Sequence, residues 1–106
     1  MKVIEEYFDA FVNKDLERLS QLYSDDVVLS EWDENIFTGK KAVLQANADL
    51  FGKFEKIGIL VKARGENGNI SLNEIIVNLD DVSVKVVDSI VVQDEKIVYI
   101  MAYRGF

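Results

Sequence analysis

The chain has 106 residues, with twelve Lys and Arg against nineteen Asp and Glu, a formal net charge of -7, and no His, Cys or Pro. That length is the usual size of one domain, and the negative charge repels phosphate backbones and anionic lipid, so neither nucleic acid nor membrane is an expected partner. Without Cys or His there is no disulfide framework, thiolate chemistry or imidazole, and any proton transfer must use carboxylates, Tyr, Lys or water.

Hydrophobic residues make up 49% of the chain, yet no run approaches the roughly 20 apolar residues that span a bilayer. The start, Met1-Lys2-Val3-Ile4-Glu5-Glu6-Tyr7, lacks the apolar core of a secretory signal and is too acidic for a transit peptide. A soluble protein with a cytoplasmic address is the default expectation.

Ile4, Tyr7, Phe8 and Phe11 recur at helical spacing opposite Glu5, Glu6 and Asp9, which predicts an amphipathic helix over residues 2–13. Asp15 can cap a second helix whose buried stripe is Leu16, Leu19, Leu22 and Tyr23, with Ser24-Asp25-Asp26 ending it. Val27 to Trp32 reads as a strand, followed by polar Asp33-Glu34-Asn35 and a short return through Ile36 and Phe37. Thr38-Gly39 opens a third helix, with Val43, Leu44, Leu50, Phe51 and Phe54 facing inward.

From there the period becomes two. Strands are predicted over 57–64, 70–79, 82–92 and 97–103, separated by Gly65-Glu66-Asn67-Gly68-Asn69, Asp80-Asp81 and Gln93-Asp94-Glu95. Asn67-Gly68 is a hairpin signal because both residues accept positive φ. Helices followed by a meander of strands give one α+β domain over residues 1–106, its helices on one face of a sheet.

Within this pattern, a polar residue in phase with apolar ones is the informative feature, because burying an unpaired carboxyl costs several kcal/mol. The even positions of the strand 82–92 read Val82, Val84, Val86, Asp88, Ile90 and Val92, so Asp88 points with five apolar residues. Desolvation there would favour the neutral, donating acid; otherwise a bulge turns it to solvent, or it is paired for structural reasons. Glu31 is in phase with Val27 and Leu29 at a strand end, either at a pocket mouth or simply exposed. Tyr7 shares the first helix's apolar stripe, as core bulk or as a hydroxyl that could meet Asp88. Phe11, Trp32, Asn47, Phe51, Val86, Ile90 and Arg104 complete a candidate pocket lining. Asp25-Asp26 and Asp33-Glu34 are charge runs of the kind usually solvated, and no metal-ligand spacing, phosphate loop or nucleophile elbow is present.

The order of two helices, Ser24-Asp25-Asp26-Val27-Val28-Leu29, a short return, a Gly39-Lys40-Lys41-Ala42-Val43 helix and a long meander resembles the nuclear transport factor 2-like (NTF2-like) superfamily. Within it the chain looks most like the ketosteroid isomerase and SnoaL-like polyketide cyclase branch. That resemblance implies a cystatin-like cone, with the helices packed on a curved mixed or antiparallel sheet enclosing an apolar pocket. It also implies Tyr7 and a protonated Asp88 as oxyanion-hole donors, and Glu31 where the branch has a general-base aspartate. Glu is one methylene longer than Asp and Trp32 follows it, so the pocket lip departs from the branch and a steroid substrate does not follow.

The expected function is thus proton abstraction next to a carbonyl, by Glu31 as base with Tyr7 and Asp88 stabilising the enolate oxygen, and with no cofactor or metal required. The expected ligand is a small apolar or carbonyl-containing molecule. Alternatives are a noncatalytic binding module, a homodimeric association domain, or epoxide opening by water with an Arg near the carboxylates. A homodimer is also expected from the apolar odd positions Val87, Val91, Ile97, Tyr99 and Met101, which need cover on the second sheet face.

Overall fold

In the computed structural model, which describes residues 1–31 and 34–105, three helices and six strands follow in the order α1 (Lys2–Val12), α2 (Leu16–Leu22), β1 (Tyr23–Glu31), β2 (Asn35–Thr38), α3 (Lys40–Lys53), β3 (Ile57–Asn67), β4 (Ile70–Leu79), β5 (Val82–Gln93) and β6 (Lys96–Arg104). The strands form one sheet in the order β2-β1-β6-β5-β4-β3. All neighbours pair antiparallel except β1 and β6, which run parallel. The architecture is α+β with a mixed, unclosed sheet, and none of the described helices is long and apolar enough to cross a membrane.

Local chemistry sets the element boundaries. Helix α1 buries Ile4, Tyr7, Phe8 and Ala10, and the Asn13 side-chain amide closes it by donating to the Asp9 carbonyl at 2.8 Å. Lys14, at φ 54, reverses the chain, and its ammonium donates to the carbonyls of Phe51 and Phe54, cations at a helix C-terminus being favourable. Asp15 caps α2 by accepting from the Arg18 amide at 3.0 Å, as its side chain suggests.

Three expectations about boundaries and facing need correcting. Tyr23 is the first residue of β1, not the last of the α2 stripe, and Ser24-Asp25-Asp26 are strand residues. Its ring still enters the core, at 1% exposure, because the end of the helical stripe and the start of the strand point the same way. Strand β3 continues through Gly65, Glu66 and Asn67, and Asn67 pairs with Ile70. The hairpin turn is Gly68-Asn69, and of these two only Gly68 takes positive φ, at 61, so the glycine occupies the first turn position instead of the second. Ile97 faces inward and is fully buried, because the register shifts between Val91 and Val92 and a bulge reverses facing along a strand.

The core lies between the helices and the concave sheet face, where Ile4, Leu19, Val27, Val43, Ile90 and Ile97 are fully buried. The outer face is only partly covered, with Leu72 51%, Val87 38% and Tyr103 42% exposed. At the far end, Asp80 accepts from the backbone amides of Lys56 at 2.8 Å and Glu55 at 3.3 Å, pinning the entry of β3 to the β4–β5 turn.

Candidate functional site

Register brings one polar row across the whole sheet. Arg64 pairs with Asn73, Asn73 with Asp88, Asp88 with Ala102, Ala102 with Glu31, and Glu31 with Asn35. Residues opposite one another across a sheet point to the same face, so Asp88 and Glu31 flank Ala102 on the concave side. With strands about 4.8 Å apart, the backbones of the two acids stand about 10 Å from each other. Alanine between them leaves the floor open.

Above that floor is a cavity of about 400 Å³, reached by Tyr7, Asp88 and Glu31 together. Tyr7, Phe8 and Phe11 come from α1, Ala46, Asn47 and Leu50 from α3, and apolar residues of β4–β6, among them Ile75, Val86 and Ile100, form the sheet wall. Glu31, Glu34, Asn35 and Arg104 are the exposed members of the lining and mark the mouth.

Asp88 is 7% exposed, and no hydrogen bond reaches its carboxyl among the described residues; its backbone carbonyl accepts from Asn73 at 3.5 Å. Burial pushes the carboxyl up from 3.8 to about 7, because an apolar wall disfavours the charged form. Tyr7, 5% exposed, is raised well above its ordinary value, first by burial, then by the neighbouring Tyr23 and by the charges of Asp88 and Glu31. The hydroxyl that Tyr7 meets is that of Tyr23, and Tyr23 donates in turn to Asn47 Oδ1 at 2.6 Å. Since the one Tyr23 proton goes to Asn47, Tyr7 is the donor toward Tyr23, and both phenols are protonated at neutral pH.

Phe11, Asn47, Val86 and Arg104 line the cavity, with Asn47 tied to Tyr23. Phe51 and Ile90 do not line it. Phe51 packs edge-on behind Phe11, with ring centroids 5.1 Å apart, and Ile90 lies fully buried in the core. Trp32 lies outside the described residues.

Three residues escaped the sequence reading. Ser71 and Asn73 are fully buried, Asn73 donates to Ser71 Oγ at 3.0 Å, and Arg64 Nε donates to Asn73 Oδ1 at 2.7 Å. The signal was available for two of them, since Ser71 and Asn73 share parity with Ile75, Val77 and Leu79 just as Asp88 does with its valines. Arg64 stands 6.0 Å over the Phe8 ring and 4.0 Å from Glu5, so this charge serves the junction between α1 and the sheet.

A family model described as a SnoaL-like domain matches residues 4–100. Among solved structures, a candidate SnoaL-like polyketide cyclase from Jannaschia sp. CCS1 superposes with a TM-score of 0.88 at 12% identity, covering 98% of this chain and 83% of that one. A candidate polyketide cyclase from Sinorhizobium meliloti gives 0.85 at 19% identity, covering 97% and 94%. A LEH-like epoxide hydrolase from M. tuberculosis gives 0.83 at 18% identity, covering 98% and 80%. No curated protein matches the chain in sequence. At these identities the structural likenesses establish the fold, while one scaffold of this kind hosts several chemistries.

Proposed function

The chain belongs to the SnoaL-like family of the NTF2-like superfamily, and on that scaffold we propose an isomerase-like or cyclase-like enzyme that removes a proton from the carbon next to a carbonyl. One observation carries the reading: the buried Asp88 carboxyl, with no hydrogen-bond partner among the described residues, faces a hollow of about 400 Å³ that Tyr7 also lines. With substrate bound, the Tyr7 proton turns from Tyr23 to the substrate oxygen and joins that of Asp88, and two such donors stabilise an oxyanion by several kcal/mol. Glu31, across Ala102, is the base. The substrate carbon rests over the Ala102 gap, its oxygen toward Asp88 and Tyr7 and its acidic proton toward Glu31. The step moves one proton from carbon to Glu31 while the oxygen gains charge, and return of the proton elsewhere completes an isomerisation.

Solvent-deuterium wash-in tests this without a known substrate. Incubating a panel of ketones with the protein in D2O and following α-proton loss by NMR, we expect Glu31→Gln to abolish exchange. Asp88→Asn should slow it about 100-fold, the usual effect of losing one oxyanion donor. Unchanged exchange in both variants on every accepted ketone sinks the assignment.

The aromatic wall of Tyr7, Phe8 and Phe11 also supports the second reading, a noncatalytic module for a small apolar ligand. That reading predicts ligand-dependent stabilisation without chemical change. Epoxide opening fits less well, because its arginine, Arg104, lies among the exposed residues at the cavity mouth, about 6.7 Å along β6 from the floor between the carboxyls. We further propose a homodimer through the outer sheet face, where Leu72, Val87 and Tyr103 are exposed. A monomer in sedimentation at micromolar concentration rules that out.

A further inference from the structure

Among the described residues that line the cavity, Arg104 is the only basic one. It lies on β6 two positions beyond Ala102, opposite Val86, and so projects to the same concave face as the row that holds Asp88, Ala102 and Glu31. Two strand residues span about 6.7 Å, which sets Arg104 at the apex of a triangle whose base is the pair of carboxyls. No ion pair or hydrogen bond engages its guanidinium among the described residues, although Glu31 and Glu34 stand on the same rim. The wall beside it is apolar, made by Val84 and Val86. A planar fork of donors without an acceptor, beside a greasy surface at the mouth of a cavity, is suited to a carboxylate carried in by the ligand.

We propose that the substrate is an amphipathic carbonyl compound bearing a carboxylate about 7 Å from the reacting oxygen, with Arg104 as the anchor for that carboxylate. This rests on the reading of Tyr7 and Asp88 as oxyanion donors. The carbonyl end enters first and settles over Ala102, while the charged end stays at the mouth, where water still reaches it and its desolvation cost is small. Anchoring there places the acidic carbon between Asp88 and Glu31, and the guanidinium offsets the repulsion between the ligand's carboxylate and the acids of the same rim. It also answers a difficulty of the charge balance: besides the neutral Asp88 the lining carries Glu31 and Glu34 against one cation, so an anion is admitted only in the position that Arg104 faces.

The test uses 4-hydroxyphenylacetate and its neutral analogue 4-hydroxyphenylacetamide, whose phenol oxygen mimics the enolate. Binding is measured by calorimetry at pH 6, where Asp88 is mostly neutral. We expect the acid to bind at least tenfold more tightly than the amide to the unmodified protein. Arg104→Met should erase that difference and leave the affinity for the amide unchanged, which a general loss of structure would not do. Equal affinity of acid and amide, or a preference that survives Arg104→Met, overturns the anchor while leaving the donors standing. If neither phenol binds, the donor assignment falls and the anchor with it.

Discussion

Replacing Asp88 by Asn should stabilise the protein in a pH-dependent way whose size follows from the structure. The carboxyl has a pKa of 3.8 when freely solvated and about 7 when buried. Below pH 3.8 it is protonated whether the chain is folded or not, and it contributes no difference. As pH rises from 3.8 to 7 the unfolded chain releases the proton while the native state keeps it, so stability falls with pH, at about 1.4 kcal/mol per pH unit, and levels off above 7. The accumulated penalty is about 4 kcal/mol, an upper figure because the carboxyl faces a hollow that water can enter. Asn has the same shape and no charge to strip of water, so Asp88→Asn should unfold at higher urea than the parent at pH 8, by up to that amount. The advantage should be roughly halved at pH 5.5 and absent at pH 3.5. Comparing variant and parent at each pH cancels the titration of every other group. A constant advantage, or none at pH 8, would show that the acid is not desolvated and would remove the physical basis for a neutral donor.

Two further substitutions probe the surroundings. Tyr23→Phe leaves the buried Asn47 Oδ1 without its 2.6 Å donor, and should lower stability by about 1–3 kcal/mol in urea denaturation. An unchanged midpoint would mean that the contact carries no net stability. Ala102→Leu should fill the floor between Asp88 and Glu31 and reduce both ligand affinity and deuterium wash-in at least tenfold with thermal unfolding kept or raised, because the added carbons enter empty space instead of a packed core. Retained activity would place the substrate elsewhere.

The fold was legible because its signals are periodic. The helical stripe of Ile4, Tyr7 and Phe8 and the alternation along Val82–Val92 each repeat several times, so the facing of Tyr7 and Asp88 followed from spacing alone. What escaped depends on single residues. Tyr23 satisfies both a helical stripe and a strand start, and only pairing with Ile97 decides between them. The bulge near Val98 moves Ile97 from one face to the other, and no composition rule announces it. Convergence of Asp88 and Glu31 was also beyond periodicity: it arises from the register of β5, β6 and β1 about Ala102, a long-range fact. Phe51 and Ile90 were correctly apolar and inward, yet a sequence does not distinguish residues that wall a hollow from residues that pack behind the wall.

The parallel joint between β1 and β6 makes this sheet a structure of two parts sewn along one seam. Tyr23 must find Ile97, 74 residues further along the chain, whereas β3 to β6 are stitched by tight hairpins whose closure costs little entropy. Glu31 belongs to one side of the seam, Asp88 and Arg104 to the other. Loosening of that single join, by heat, denaturant or substitution along β1, would part the proposed base from the proposed donors while the hairpins stayed paired, so chemistry is tied to the contact that topology makes slowest to form.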